Sequence, residues 1–173
     1  MTNWCVITGG PSSGKTTTVD LLGKRGYNTT IEHARHFIDT QRVTGRTVEE
    51  IRANQREFQK GILDMQIEQE RSLDPSELYF LDRALPDALA YYHFLGVVPD
   101  SALLAALRTA SYRMIFVMDL LPLAGDYART EDAAAQRQIH ALILGVYRSL
   151  PSPVETVPAL PPAERVDYIL ARL

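Results

Sequence analysis

The sequence predicts an α/β domain in which a mostly parallel sheet is covered by helices on both faces. Three observations carry this. Short apolar runs alternate with longer segments of helical spacing, several of those runs stop at a glycine or a carboxylate, and turn residues separate the segments. The 173 residues are 46% apolar and 23% charged, which is ample for one hydrophobic core and outside the range of disordered chains.

Asn3 to Thr8 is an apolar, β-branched run ending at Gly9-Gly10-Pro11, the pattern of a buried strand entering a turn. A helix is expected from Lys15 to Leu22, with Gly23 and Gly26 at its exit. Tyr27 to Ile31 reads as a weaker strand that stops at Glu32. Thr47-Val48-Glu49-Glu50 fits a capping box, and Ile51, Phe58, Ile62 and Met65 follow at helical spacing, so one long helix is expected up to Asp74-Pro75. Leu78 to Leu81 is a third strand, ending at Asp82. Helices should follow from Pro86 to Phe94 and after Pro99-Asp100-Ser101. Arg113 to Met118 is a strand ending at Asp119. Beyond it come a helix from Thr130 to about Leu150, a short strand Val154 to Val157, and a terminal helix from Pro161-Pro162. Nothing resembles a repeat or linker, so residues 1–173 are expected to be a single domain.

Composition narrows the function. The single cysteine, Cys5, cannot close an internal disulfide, and no apolar run reaches the length that spans a bilayer. A cytoplasmic protein without a membrane partner is expected. Eighteen basic against 21 acidic residues, with no basic cluster, argue against nucleic acid as a partner.

Gly9-Gly10-Pro11-Ser12-Ser13-Gly14-Lys15-Thr16 satisfies G-x-x-x-x-G-K-[ST] between an expected strand and an expected helix. Backbone amides of such a turn, with the positive end of the following helix, surround a phosphate. Lys15 would reach the β and γ phosphates of ATP, Thr16 would bind Mg²⁺, and Thr17 would complete the loop. Ligands of open parallel sheets sit beyond the carboxyl ends of the strands. The residues delivered there are Gly9, Glu32, Asp82 and Asp119. Asp82, after an uninterrupted apolar strand, is the candidate second metal ligand. Either Glu32 or Asp82 could serve as general base, and Asp119 is more easily read as a turn residue.

Arg83 is placed to meet a transferred phosphate or to form a surface ion pair. Arg129 and Arg137, behind Leu123-Ala124-Gly125-Asp126, suggest a basic lid around 123–138 or a solvated loop and helix. Arg52, Arg56 and Lys60 read as a wet helix face. His33, His36, His93 and His140 form no metal pattern and read as structural or acceptor-site residues, and Tyr91, Tyr92 and Phe94 read as core with one ring free to face a cleft.

GGPSSGKTT, IEHARHFID after the second strand, FLDRALPDALAYYHFLG around the third, and MDLLP after the fourth together resemble the small P-loop "AAA domain" family. This family is related to the ribosylnicotinamide kinase domains of NadR-type proteins. The stretch D-R-x-x-P-D-x-x-A-Y-Y from Asp82 to Tyr92 carries the resemblance most specifically. It implies a kinase-like P-loop NTPase fold, three layers with about five parallel strands in the order 2-3-1-4-5. It also implies that Lys15 and Thr16 bind nucleotide and Mg²⁺, that Glu32 and Asp82 line the acceptor and metal edge, and that Arg129 belongs to the lid. Where the family often has Pro-Pro-Trp, this chain has Leu121-Pro122-Leu123. The expected activity is transfer of the γ-phosphoryl group of ATP to a hydroxyl of a nucleoside-like or other small acceptor. A nucleotide-driven switch, or slow NTPase, acting through a partner is the alternative.

Overall fold

Residues 1–122 and 132–173 are described by the computed structural model of the chain. Strand β1 (Trp4–Thr8) is buried along its whole length because it lies at the centre of the sheet. With β2 (Asn28–Thr29), β3 (Tyr79–Asp82), β4 (Met114–Met118) and β5 (Val154–Val157) it forms a five-stranded sheet in the order β2-β3-β1-β4-β5, every pair parallel. The expected strand order is the observed one. Successive β1 side chains point to opposite faces. Cys5 and Ile7 meet Val19 and Leu22 of α1 (Lys15–Lys24) and Val166 and Ile169 of the terminal helix Pro162–Leu170. Trp4 and Val6 lie in the other cluster, with Ala90 of the helix Leu85–Phe94 and Ile139, Ile143 and Tyr147 of the helix Ala133–Arg148. Both faces are therefore covered, as parallel strands require.

Between β2 and β3 the chain departs from expectation. Glu32 is followed by a helix, α2 (His33–Val43), which the sequence reading did not assign. The long helix expected after Thr47 is two, α3 (Val48–Ala53) and α4 (Gln55–Ser72). The predicted capping box does start α3: Thr47 Oγ1 accepts from the Glu50 amide at 3.2 Å, and Glu50 Oε2 from the Thr47 amide at 2.8 Å. Asn54 ends it, because its own side chain accepts from the Glu57 amide and opens a new helix. Ile38, Ile51 and Phe58 join α2, α3 and α4 in a small core beside the sheet.

Leu63 of α4 packs with Leu85 and Tyr92 of α5 (Leu85–Phe94) and Leu103 of α6 (Ser101–Thr109), which Asp100 caps. The helix expected from Thr130 is α7 (Ala133–Arg148); Asp132 caps it by accepting from the amides of Ala134 and Ala135. Of the expected lid, 123–131, including Arg129, lie outside the described residues, and 133–138 are the first turns of α7. The last helix, α8 (Pro162–Leu170), closes the chain. No described helix is long and apolar enough to cross a membrane.

Candidate functional site

The turn after β1 is built from backbone conformations that most side chains disfavour. Gly9 has φ 139°, and a Cβ there would lie 2.6 Å from the Met118 carbonyl oxygen. Gly14, at φ 78°, is the N-cap of α1, and a Cβ would sit 2.0 Å from a guanidinium nitrogen of Arg165. That arginine braces the loop from α8, its Nη1 donating to the Ser13 carbonyl and its Nε to the Leu160 carbonyl. From the opposite side α7 contributes two contacts. His140 Nδ1 accepts from the Gly10 amide at 3.2 Å, and Gln136 Nε2 donates to the carbonyls of Pro11 and Leu121. Burial lowers the His140 pKa, with Lys15 adding to the effect and Asp119 opposing it, which keeps the ring in the neutral form able to accept.

Lys15 is buried in the mouth of this loop and donates to the Gly10 carbonyl at 2.8 Å and to Ser13 Oγ at 3.2 Å. Burial, and then Arg83, drive its pKa down, while Glu32, Asp82 and Asp87 oppose them. The register Ile7↔Asp82 brings the end of β3 level with the end of β1, and this places Asp82 beside the loop. Burial and the neighbouring Glu32 raise the Asp82 pKa, and Oδ1 is buried without a hydrogen-bond partner. The Thr16 hydroxyl lies against the same carboxylate. An orphaned carboxylate oxygen next to a threonine hydroxyl at the head of a phosphate loop suits Mg²⁺, which uses one or two protein oxygens together with phosphate and water. No cluster of three or more His, Cys, Asp or Glu exists among the described residues, and such a site needs none.

Arg83 is not the surface arginine it could have been. Its side chain is 13% exposed, with Glu32 at 3.6 Å, Asp87 at 3.4 Å and the Tyr91 ring beneath its guanidinium. The residue has φ 70°, a left-handed conformation costing a side-chain-bearing residue on the order of 1 kcal/mol, sustained by these contacts. Asp87 is the hub behind it. Its carboxylate accepts from the hydroxyls of Thr8 and Tyr147, both at 2.6 Å, and from the Ala84 amide at 3.1 Å. One buried acid thus ties together the end of β1, the start of α5, α7 and Arg83.

Two cavities open on this edge. The smaller, about 250 Å³, is lined by Gly14, Lys15, Thr16, Thr17, Asp20, Glu32 and Arg35. The larger, about 260 Å³, runs from Pro11 and Arg83 between α2, α4 and α5, with Phe58, Tyr91, Gln59 and Gln66 among its walls. Glu32 and Arg35 belong to both. The sequence reading therefore placed Lys15, Thr16, Glu32, Asp82 and Arg83 in one neighbourhood, and they share it. Asp119 lines neither cavity and lies near His140 instead. Arg137 is exposed on α7. Arg52, expected on a wet stripe with Arg56 and Lys60, lines the larger cavity with its guanidinium over Phe58, because the break at Asn54 takes it off their helix. Asp87, Gln136, Arg165 and the glutamines of α4 were not singled out, and His140, expected to be a structural or acceptor-site residue, touches the phosphate loop. Only Asp87 carried a signal, its place in the Asp82–Tyr92 motif.

A family model described as "AAA domain" matches residues 4–165. A search of curated protein sequences finds no match. Among solved structures, a deoxyadenosine kinase from M. mycoides with dCMP and a flexible dCDP bound superposes with TM-score 0.67 at 12% identity, covering 98% of this chain and 97% of that one. The same enzyme with dCTP gives 0.65 at 14% identity, again with 98% and 97% coverage. A thymidylate kinase from Ehrlichia chaffeensis gives 0.68 at 11% identity, also with 98% and 97% coverage. At such identities the likeness establishes the fold.

Proposed function

This chain belongs to the AAA domain family of P-loop proteins, and from that premise we propose that it is a small-molecule kinase, moving the γ-phosphoryl group of ATP to the hydroxyl of a small, nucleoside-like acceptor. The observation that carries this reading is the pair of cavities meeting at Glu32 and Arg35, one under the phosphate loop and one walled by aromatic and amide side chains. A switch or simple NTPase has no use for the second cavity. The solved kinases that share the fold act on nucleosides or nucleotides, which agrees with the proposal.

In this mechanism the loop amides and Lys15 hold the donor phosphates and neutralise charge as it develops. Thr16 and Asp82 would hold Mg²⁺, which supplies charge neutralisation on the phosphates when bound. Glu32, at the boundary of the two cavities, accepts the proton of the acceptor hydroxyl. Arg83, fixed by Asp87 and Tyr91, keeps Glu32 oriented and offers positive charge to the transferred group. Arg129, outside the described residues, is proposed as a second cation for the transferred group, in a single cytoplasmic domain. Incubation with ATP·Mg²⁺ and a panel of nucleosides and small alcohols, with ADP release and product mass read together, tests the proposal. Release that depends on the acceptor, with a mass gain of one phosphate, is the expected result. Hydrolysis at the same rate whatever is added would give the NTPase reading the lead.

A further inference from the structure

Glu32 and Arg35 are shared by the two cavities, so the terminal phosphoryl of a nucleotide seated on Lys15 and Thr16 meets its acceptor beside them. Glu32 is the N-cap of α2 yet makes no capping hydrogen bond with its own helix. Its carboxylate faces two guanidinium groups instead: Arg83 Nε lies 3.6 Å from Oε1, and Arg35 Nε lies 3.6 Å from Oε2. An acceptor hydroxyl needs one of these oxygens, so one arginine has to give way.

The two arginines are held differently. Arg83 is clamped, with Nη1 at 3.4 Å from Asp87, Nη2 donating to the Tyr91 hydroxyl at 3.3 Å, and the Tyr91 ring beneath the guanidinium. Arg35 has a side chain 33% exposed, against 13% for Arg83, and its pair with Glu32 is longer than a hydrogen bond. Turning Arg35 away leaves Glu32 still balanced by Arg83, so no buried charge is stranded. A phosphoryl group arriving at this junction also approaches two carboxylates, Glu32 and Asp82, and a mobile cation offsets that repulsion.

We infer that Arg35 is a catalytic residue: with nucleotide bound, its guanidinium leaves Glu32 Oε2 for the oxygens of the terminal phosphoryl, and Oε2 receives the acceptor hydroxyl. The second half rests on the kinase reading, whereas the contact with the terminal phosphoryl stands or falls by itself. In the transfer the acceptor oxygen bonds to the γ phosphorus as the bond to the bridging β–γ oxygen breaks. ADP departs with that electron pair, and the hydroxyl proton passes to Glu32 Oε2. Arg35 exchanges no proton. Its planar fork offsets charge on the oxygens of the group in flight.

Calorimetric Kd for ADP and for the non-hydrolysable AMP-PNP, each with Mg²⁺, tests the contact in the parent, Arg35→Met, Arg35→Lys and Arg42→Met. Arg42 lies in the last turn of α2 and serves as the control for a charge lost at a distance. Arg35→Met should weaken AMP-PNP by about tenfold and leave ADP within about twofold, because the contact exists only with the third phosphate. Arg35→Lys should recover part of the loss, and Arg42→Met should match the parent. With ATP·Mg²⁺ and an acceptor, kcat of Arg35→Met should fall by about a hundredfold or more while the acceptor KM changes little, a split that a merely structural role would not give. The AMP-PNP loss in a protein that phosphorylates no acceptor would support the contact while defeating the kinase reading. An unmoved AMP-PNP to ADP ratio in Arg35→Met, an equal loss for both nucleotides, or the same shift in Arg42→Met would overturn the inference, whatever the kinase assay shows.

Discussion

The phosphate loop and the α4 cavity sit side by side, yet they are made from different materials. The loop is eight consecutive residues whose working groups are backbone amides, one ammonium and one hydroxyl, with α7 and α8 bracing it from outside. The cavity is assembled from side chains of α2, α3, α4 and α5, and its polar atoms are aimed by further buried groups such as Glu70 and Asp87. Backbone recognition suits a ligand part that never changes, the polyphosphate. Side-chain recognition suits a part that differs from one enzyme to the next. Damage to the loop should therefore weaken reaction with every acceptor alike, and damage to the cavity should change which acceptor is used.

Lys15→Ala is the strongest test of the loop half. Turnover should fall by about three orders of magnitude or more with every acceptor, with ATP binding weakened and the circular dichroism spectrum unchanged. A loss confined to some acceptors would break the division. Glu32→Gln comes next, because it stands where the two cavities join: kcat should drop by about a hundredfold or more while ATP affinity stays within about threefold.

Glu70 sharpens the cavity half through pH. Burial raises its pKa to about 7, against the opposing hydrogen bonds from Leu85, Tyr112 and Gln66. The folded state therefore holds this proton up to a higher pH than the unfolded chain does. Its contribution favours the fold most at low pH and is lost as pH rises from the ordinary carboxylate range through about 7. Urea unfolding of Glu70→Gln should show that decline flattened by roughly 1–3 kcal/mol relative to the parent between pH 5 and 8. A parallel decline in both proteins would assign the slope to other groups. The smallest effect belongs to His140→Ala, which removes the acceptor for the Gly10 amide. A loss of about 1 kcal/mol should appear as a several-fold higher KM for ATP with acceptor KM unchanged.

The same contrast explains what could be read in advance. Gly9 to Thr16 are contiguous, and their residue types are dictated by the conformations and ligand they serve, so the motif is visible in a string of letters. Asp82 was visible because strands deliver their last residues to a known edge; Glu32 was reached by the same argument, although β2 ends at Thr29 and Glu32 stands at the N-cap of α2. The cavity was not. Gln55, Gln59 and Gln66 look like a solvated helix face until α2 and α5 are in place to cover them. α2 has only His33 and Ile38 fully buried, too thin an apolar stripe to announce a helix, and its packing depends on residues of α3 and α4. The break at Asn54 rests on one side-chain bond to the Glu57 amide, which helical spacing cannot reveal. Nor does sequence show that α7, through Gln136 and His140, leans on the loop.

Strand β1 has a consequence for how the chain reaches this state during synthesis. It needs both neighbours, and Cys5 pairs with Phe80 on one side and Met114 on the other. The second partner is translated about a hundred residues later, and parallel pairing over such separations is slow because loop closure must precede any reward. Until Met114–Met118 has left the ribosome, an apolar, β-branched ribbon with one unsatisfied edge waits beside whatever else is nearby. A nascent chain stalled before β4 should thus be captured by chaperone holdases far better than one released after β5, and nascent chains arrested at graded lengths would map that change.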